Sequence, residues 1–379
     1  MKTGSILKRL IKKKSGIVKN VNGTHFEKYC LLLYITSPFL AADTKESHQN
    51  IWQVREIARI VGEMGFNADA ADFNNKNIKL SRNYDLIIDI SPDDHPVYAE
   101  YMNPDCKKIA YLTGSNPEFS NEEEKKRIAQ CNSMRGSALL PKRQVRAVSR
   151  NIKSYDAFFF IGNMYNLKTY SGYILPKVYW IPNTGYDFGS RVKQTAGDKR
   201  KFLFFSSAGQ VHKGLNLLLD IFASDSSLEL YVCSPFAEEK DFEKEYYQEL
   251  YETKNIHAAG FTDIWGEEFR RIASECVFSI HPSCSEGMSG AVLTVMSMGI
   301  IPLCTRECGF DENEVIILND AGEDTIRNKI AECLQYDDGW IRKRQEYEVF
   351  LTKTRYSRQA FSDAVKKAVT DVMRSKKDE

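Results

Sequence analysis

Two segments of this chain combine residue types suited to holding a phosphorylated, hydroxyl-bearing ligand. The first is Ser206-Ser207-Ala208-Gly209-Gln210-Val211-His212-Lys213-Gly214. Its small residues permit close backbone approach, Lys213 brings an ammonium group to an anion such as a diphosphate, and the start of the following helix adds free N–H donors. A glycine-rich turn of this kind can also do no more than turn a corner. The second is His281-Pro282-Ser283-Cys284-Ser285-Glu286-Gly287-Met288-Ser289-Gly290, between an apolar strand pattern and an apolar helix. Here the Glu286 carboxylate accepts from hydroxyls, while the backbone N–H groups from Gly287 through Met288 and Ser289 to Gly290 favour phosphate charge. Taken alone, Glu286 could instead cap a helix.

In the first half, His48 stands where a strand's loop enters a helix, placed either to point into a cleft or to cap that helix. Thr113-Gly114-Ser115-Asn116 and Gly162-Asn163 close two further strands at the same edge. They offer hydrogen-bonding groups to a second substrate, or simply turn the chain. Arg135, Lys142, Arg143, Arg146, Arg150 and Lys153 read as a solvated helical face, or as a surface for an anionic lipid-linked acceptor.

The elements that must position these residues follow from the apolar pattern. Strand-like runs at 29–35, 85–90, 108–112, 157–161 and 178–181 alternate with helical spacing, of which Ile51, Val54, Ile57, Ala58, Val61 and Met64 give the clearest example before Gly65. The second half repeats the rhythm, with strands at 201–205, 228–233, 256–259, 277–281 and 300–304, and helices at 215–222, 267–276 and 290–298. This predicts an α/β protein of two doubly wound, Rossmann-like domains facing a central cleft, with ligands at the carboxyl ends of the strands. The expected boundaries are 1–184 for the first domain, 185–200 for a polar linker, 201–354 for the second domain and 355–379 for a C-terminal helix docking on a domain surface.

Composition agrees with a core of that size: 379 residues, 42% hydrophobic and 27% charged. A formal charge of +1 gives no overall bias toward nucleic acid. Residues 1–20 nevertheless carry seven basic residues and no acid, with Ile6, Leu7, Leu10 and Ile11 at helical spacing. That pattern suits either a short segment resting on an anionic membrane surface or a solvated tail. No apolar run reaches the roughly 20 residues of a spanning helix, and no secretory signal is evident. The nine cysteines are scattered without a Cys-x-x-Cys pair, so reduced thiols and no structural metal are expected. The location expected is cytoplasmic, peripheral on the inner membrane face if the basic segment binds there.

Residues 282–304 resemble the signature of retaining GT-B glycosyltransferases of the large group 1, family 4-like class, in which a glutamate and glycine precede an apolar helix and a further glycine. Residues 207–222 resemble that class's lysine-glycine loop and helix, and Ile181-Pro182-Asn183-Thr184-Gly185-Tyr186-Asp187 looks like its Pro-Asn-Gly-x-Asp stretch. The resemblance implies that Lys213 meets the donor diphosphate, Glu286 the donor sugar's hydroxyls, and the amides near Ser289 and Gly290 the phosphates. Gly209, Gln210, His212, Gly287, Met288 and Thr294 complete the implied donor site, while His48, Thr113, Gly114 and Asn163 lie on the acceptor side. Two departures stand out. Thr294 occupies the position of a second glutamate that grips the nucleotide ribose, and the loop's arginine is missing, with Gln210 and His212 nearby.

The expected activity is transfer of a sugar from a nucleotide-sugar donor to a glycan or lipid-linked acceptor, with retention, in cell-surface polysaccharide or glycoconjugate synthesis. No metal and no other cofactor is expected, because Asp93 and Asp94 are adjacent and form no Asp-x-Asp metal motif. The alternatives are a non-catalytic glycan-binding or scaffolding protein of the same architecture, or a sugar-nucleotide epimerase. A dehydrogenase is disfavoured, since no Gly-x-Gly-x-x-Gly follows the first strand.

Overall fold

Apolar runs too short for helices become interior strands of two sheets. A computed structural model describes residues 16–40, 46, 48–189, 192 and 196–375. The first sheet contains β1 (Ile17–Val18), β2 (Lys28–Tyr34), β3 (Phe66–Asp72), β4 (Tyr84–Asp89), β5 (Met102–Leu112), β6 (Ala157–Phe160) and β7 (Val178–Trp180). Its order is β1-β3-β2-β4-β5-β6-β7, with β1 antiparallel and the other pairs parallel. The second sheet contains β8 (Asp198–Phe205), β9 (Glu229–Cys233), β10 (Ile256–Ala258), β11 (Cys276–His281), β12 (Ile301–Thr305) and β13 (Ile316–Leu318), all parallel, in the order β10-β9-β8-β11-β12-β13. The chain therefore runs outward from β8 to β10, then returns to place β11 on the other side of β8. The loops leaving β8 and β11 part in opposite directions, and at such a reversal a crevice opens beyond the carboxyl ends of the strands.

Two expectations need correction. The stretch between the first two expected strands is not a single strand-helix-strand unit. The helix Gln49–Glu63 leads through Gly65 into β3, whose sequence Phe-Asn-Ala-Asp-Ala-Ala-Asp has few β-formers. Burial and polar pairing override propensity there: Ala68 and Ala70 pack in the core, and Asp69 accepts from the Asn20 amide and the Tyr84 hydroxyl. The basic run from Arg135 to Lys153 is not a helical face. Arg135 ends the helix Pro117–Arg135, and 139–149 continue without helix or strand. Helices at Glu323–Leu334 and Asp338–Lys353, unremarked in the sequence reading, cover the second lobe.

The C-terminal helix, Arg358–Arg374, packs on the helix Gln49–Glu63 of the first lobe. Phe361, Val365, Ala368, Val369 and Val372 form its buried stripe, and Phe361 meets Trp52 edge-on at 5.6 Å. Ion pairs Arg358–Glu46 and Lys366–Glu63 flank the stripe. The same core cluster contains Met288, Val292, Leu293 and Met296 of the second lobe, so one hydrophobic core bridges both lobes behind the crevice. The basic residues 1–15 and residues 376–379 of the expected C-terminal segment lie outside the described residues. Among the described residues no helix is long and apolar enough to cross a membrane.

Phe361 is fully buried, so Phe361→Ala should lower unfolding stability by about 3–5 kcal/mol, read by denaturant titration. A loss below about 1 kcal/mol would mean that the helix contributes little to holding the lobes.

Candidate functional site

The reversal in the second sheet brings the two chemical segments together. Lys213 closes the one-turn helix Gln210–Lys213 after β8, Glu286 lies in the loop after β11, and their side chains form a nearly buried ion pair. Glu286 is fixed from the opposite lobe through its backbone. Its carbonyl accepts from the Ser115 amide at 2.9 Å, the Ser115 hydroxyl at 2.7 Å and the Asn166 amide group at 3.1 Å. Contact there is close enough to require glycine, since a methyl on Gly287 would strike the Thr113 carbonyl and Gly114 Cα.

Electrostatics follow from this enclosure. Burial would raise the Glu286 carboxyl, but Lys213, Arg143 and His212 outweigh it and hold it down to about 2. Burial lowers the Lys213 ammonium from its ordinary value, an effect that Glu286 opposes. Burial also lowers the imidazoles of His212 to about 4 and His281 to about 3. His212 is therefore neutral at pH 7, its Nε2 paired at 2.6 Å with the Ser285 carbonyl, and it supplies no charge in place of the missing arginine.

Two cavities meet at this point. One, of about 280 Å³, is lined by Lys213, Glu286, Ser289, Gly290 and Thr294, and also by His48, Gln49 and Arg143 of the first lobe. Its far end is formed by Ser234, Pro235 and the stretch from Phe261 to Ile264 beyond β9 and β10. The second, of about 260 Å³, lies against the first lobe, with Thr113, Gly114, Gly287 and His212 in its wall together with Phe73, Ile90 and Leu112. Arg143 and Glu286 line both.

Several of the implied donor residues stand outside the first cavity. The amides of Gly209 and Gln210 point to the buried Glu239 carboxylate, at 2.5 Å and 3.2 Å, which occupies donors the sequence reading gave to phosphate. The Gln210 side chain accepts from the Ser234 hydroxyl. Met288 packs in the core, and its carbonyl accepts from Asn183. The Ser289 amide donates to the Cys308 carbonyl at 2.9 Å, leaving the first-turn N–H groups of the helix Gly290–Ser297 to face the cavity. Thr294 does line the cavity, but its hydroxyl donates to the Gly290 carbonyl. His48 caps its helix, Nδ1 accepting from the Asn50 amide, and also borders the cavity. Asn163 lies away from both cavities, capping the helix Met164–Lys168 and donating to the Phe310 carbonyl across the lobes.

Gln49, Glu239 and Asn166 are not marked by any local sequence motif, and Arg143 belongs to a basic run that reads either as a solvated face or as a surface for an anionic lipid-linked acceptor. Gln49 directly follows the helix-capping His48, which was the available signal. Its amide donates to the Gly290 carbonyl at 2.9 Å and lies 3.4 Å from the Thr294 hydroxyl. Glu239 sits among Glu238, Lys240 and Asp241, a charged stretch that reads as solvent-facing.

No protein-family model matches the sequence, and no curated protein matches it. Solved structures do resemble the fold. A sucrose-phosphate synthase from Thermosynechococcus elongatus superposes with a TM-score of 0.61 at 12% identity, covering 91% of this chain and 98% of that one. A glycosyltransferase from Rickettsia africae gives 0.60 at 11%, covering 93% and 100%. HepE from Anabaena, in complex with UDP-glucose, gives 0.56 at 12%, covering 91% and 99%. The architecture is GT-B, as the resemblance implies.

A pH dependence follows from the buried imidazoles. The unfolded chain takes up their protons near pH 6.5 and the folded chain only near 4 and 3, so the unfolded state binds more protons between those values. Stability should therefore fall as pH drops below about 6.5. Denaturant midpoints measured from about pH 7.5 to 5 should decline, and His281→Leu should flatten the curve. An unchanged slope in that variant would show that His281 takes up its proton without unfolding.

Proposed function

We propose that this protein transfers a sugar from a nucleoside diphosphate donor to a hydroxyl of a glycan or lipid-linked acceptor, with retention, in the synthesis of a cell-surface polysaccharide or glycoconjugate. The carrying observation is the buried Lys213–Glu286 pair at the strand reversal, in one cavity with the N-terminus of the helix Gly290–Ser297. Cation and N–H donors suit a diphosphate, and a carboxylate held ionised suits sugar hydroxyls. The far wall, with Pro235 and the exposed Phe261, suits a nucleobase. That HepE, of the same fold, is described with UDP-glucose supports the donor class.

In this reading the bond from the anomeric carbon to the diphosphate oxygen breaks, and its electron pair leaves with the diphosphate. Lys213 and the helix N–H groups meet the growing negative charge, a role suited to fixed donors in a site closed to water. The acceptor oxygen, entering from the second cavity on the face the diphosphate vacates, bonds to that carbon and passes its proton to the departing phosphate. No metal or cofactor takes part. The apolar and hydroxyl-bearing walls of the second cavity, Phe73, Ile90, Leu112 and Thr113, suit an acceptor with both characters. The protein works at the cytoplasmic face of a membrane, where a lipid-linked acceptor is presented.

A glycan-binding protein without turnover is the competing reading, favoured by Thr294 where the resemblance places a carboxylate. Turnover across a panel of nucleotide sugars separates the two. Lys213→Gln, which leaves Glu286 a hydrogen-bonding neighbour, should reduce transfer or donor hydrolysis by about 10- to 1000-fold. Turnover within about threefold of the parent protein would remove Lys213 from the reaction.

A further inference from the structure

Resting on the donor reading above, we infer that Arg143 carries the second positive charge on the donor's diphosphate, reaching across from the first lobe in place of the arginine missing from the lysine-glycine loop. A diphosphate ester entering the cavity meets Lys213, whose charge is already shared with Glu286, so one lysine and a helix terminus leave the anion under-compensated. His212, neutral and tied to the Ser285 carbonyl, adds nothing.

Arg143 has both the freedom and the placement to do so. Lys142, Arg146 and Arg150, its neighbours in the same segment, pair with Asp241, Asp93 and Glu118. Among the described residues Arg143 has no ion pair within 4 Å, and its guanidinium makes only long contacts to the Ser207 hydroxyl and the Ala208 carbonyl, at 3.5 Å and 3.4 Å. Its methylene stem lies on Gly209, where any side chain would collide with it. The arginine thus reaches the loop that carries Lys213 by covering a position without a Cβ.

The backbone beneath it is held by a dedicated anchor. Glu124, buried on the helix Pro117–Arg135, accepts from the Lys142 and Arg143 amides at 2.9 Å and from the Gln144 side chain at 2.7 Å. Asn121 holds the Val145 amide in the same way. Such satisfaction of an irregular segment's amides fixes where the side chain emerges. It emerges where the two cavities join, and Glu286 is the other residue lining both. That junction is where the sugar–phosphate bond must break and the new bond form.

Calorimetry of the full chain with UDP, GDP and ADP, and with the corresponding nucleosides, tests the assignment. For whichever diphosphate binds the parent protein, Arg143→Gln should weaken binding by ~10- to 100-fold and Arg143→Lys by less, with nucleoside binding and thermal unfolding unchanged. Equal diphosphate affinity in Arg143→Gln, or an equal loss for the nucleoside, overturns the inference. If the parent protein binds none of the three, it is the donor reading itself that fails.

Discussion

Burying an ammonium and a carboxylate side by side strips both of hydration, and their attraction makes this good only where geometry is fixed and the surrounding groups are satisfied. Lys213 and Glu286 meet the first of these conditions, because each sits in a segment whose backbone is held by hydrogen bonds. Lys213 follows β8 through a single helical turn whose entry amides are gripped by Glu239. Glu286 hangs from a carbonyl that three first-lobe donors hold. A pair of this kind adds little to stability when compared with apolar side chains of equal volume. Its presence at a strand reversal, open to two cavities, fits a site kept charged for a ligand.

The same constraint explains how the lobes meet. To reach the Glu286 carbonyl, Ser115 must bring Thr113 and Gly114 against Gly287, which has no room for a side chain at that approach. On the far side, the C-terminal helix returns to the first lobe and completes a core that includes residues of the helix Gly290–Ser297. Thus the helix whose N-terminus borders the cavity belongs to a core that also takes in residues of the first lobe and of the C-terminal helix. Shape at the crevice and cohesion of the whole molecule depend on the same few contacts.

Much of this was legible in the sequence because parallel strands covered on both faces must be continuous apolar runs, and most of them read as such. Lys213 and Glu286 were legible for a different reason: each interrupts small, turn-forming residues directly after such a run. β3 was not legible, since its alanines and aspartates gain their strand character from a helix packed closely on one face and from polar partners for Asp69. Arg143 and Gln49 escaped because their contacts exist only across the lobes, 64 and 241 positions from the residues they touch. No local pattern carries such a contact. Asn163 misled in the opposite direction, since a strand-end asparagine looks alike whether it meets a substrate or caps a helix.

The two departures from the resembled pattern have a common structural answer. Where the lysine-glycine loop lacks its arginine, Arg143 lies over that loop from the first lobe. Where a second glutamate is expected, Thr294 has the Gln49 amide of the first lobe beside it. Both groups thus enter from the opposite lobe, one as a cation and one as a neutral amide. Losing a carboxylate while keeping two cations makes the cavity more favourable to anions, whereas a neutral amide gives a weaker hydrogen bond than a carboxylate. A cavity lined from both lobes in this way is complete only while the lobes are together, so the contacts that hold Gly287 against Thr113 also assemble it. The second lobe alone would keep Lys213 and Glu286 but lose both first-lobe groups, and with them part of what distinguishes a diphosphate from any other anion.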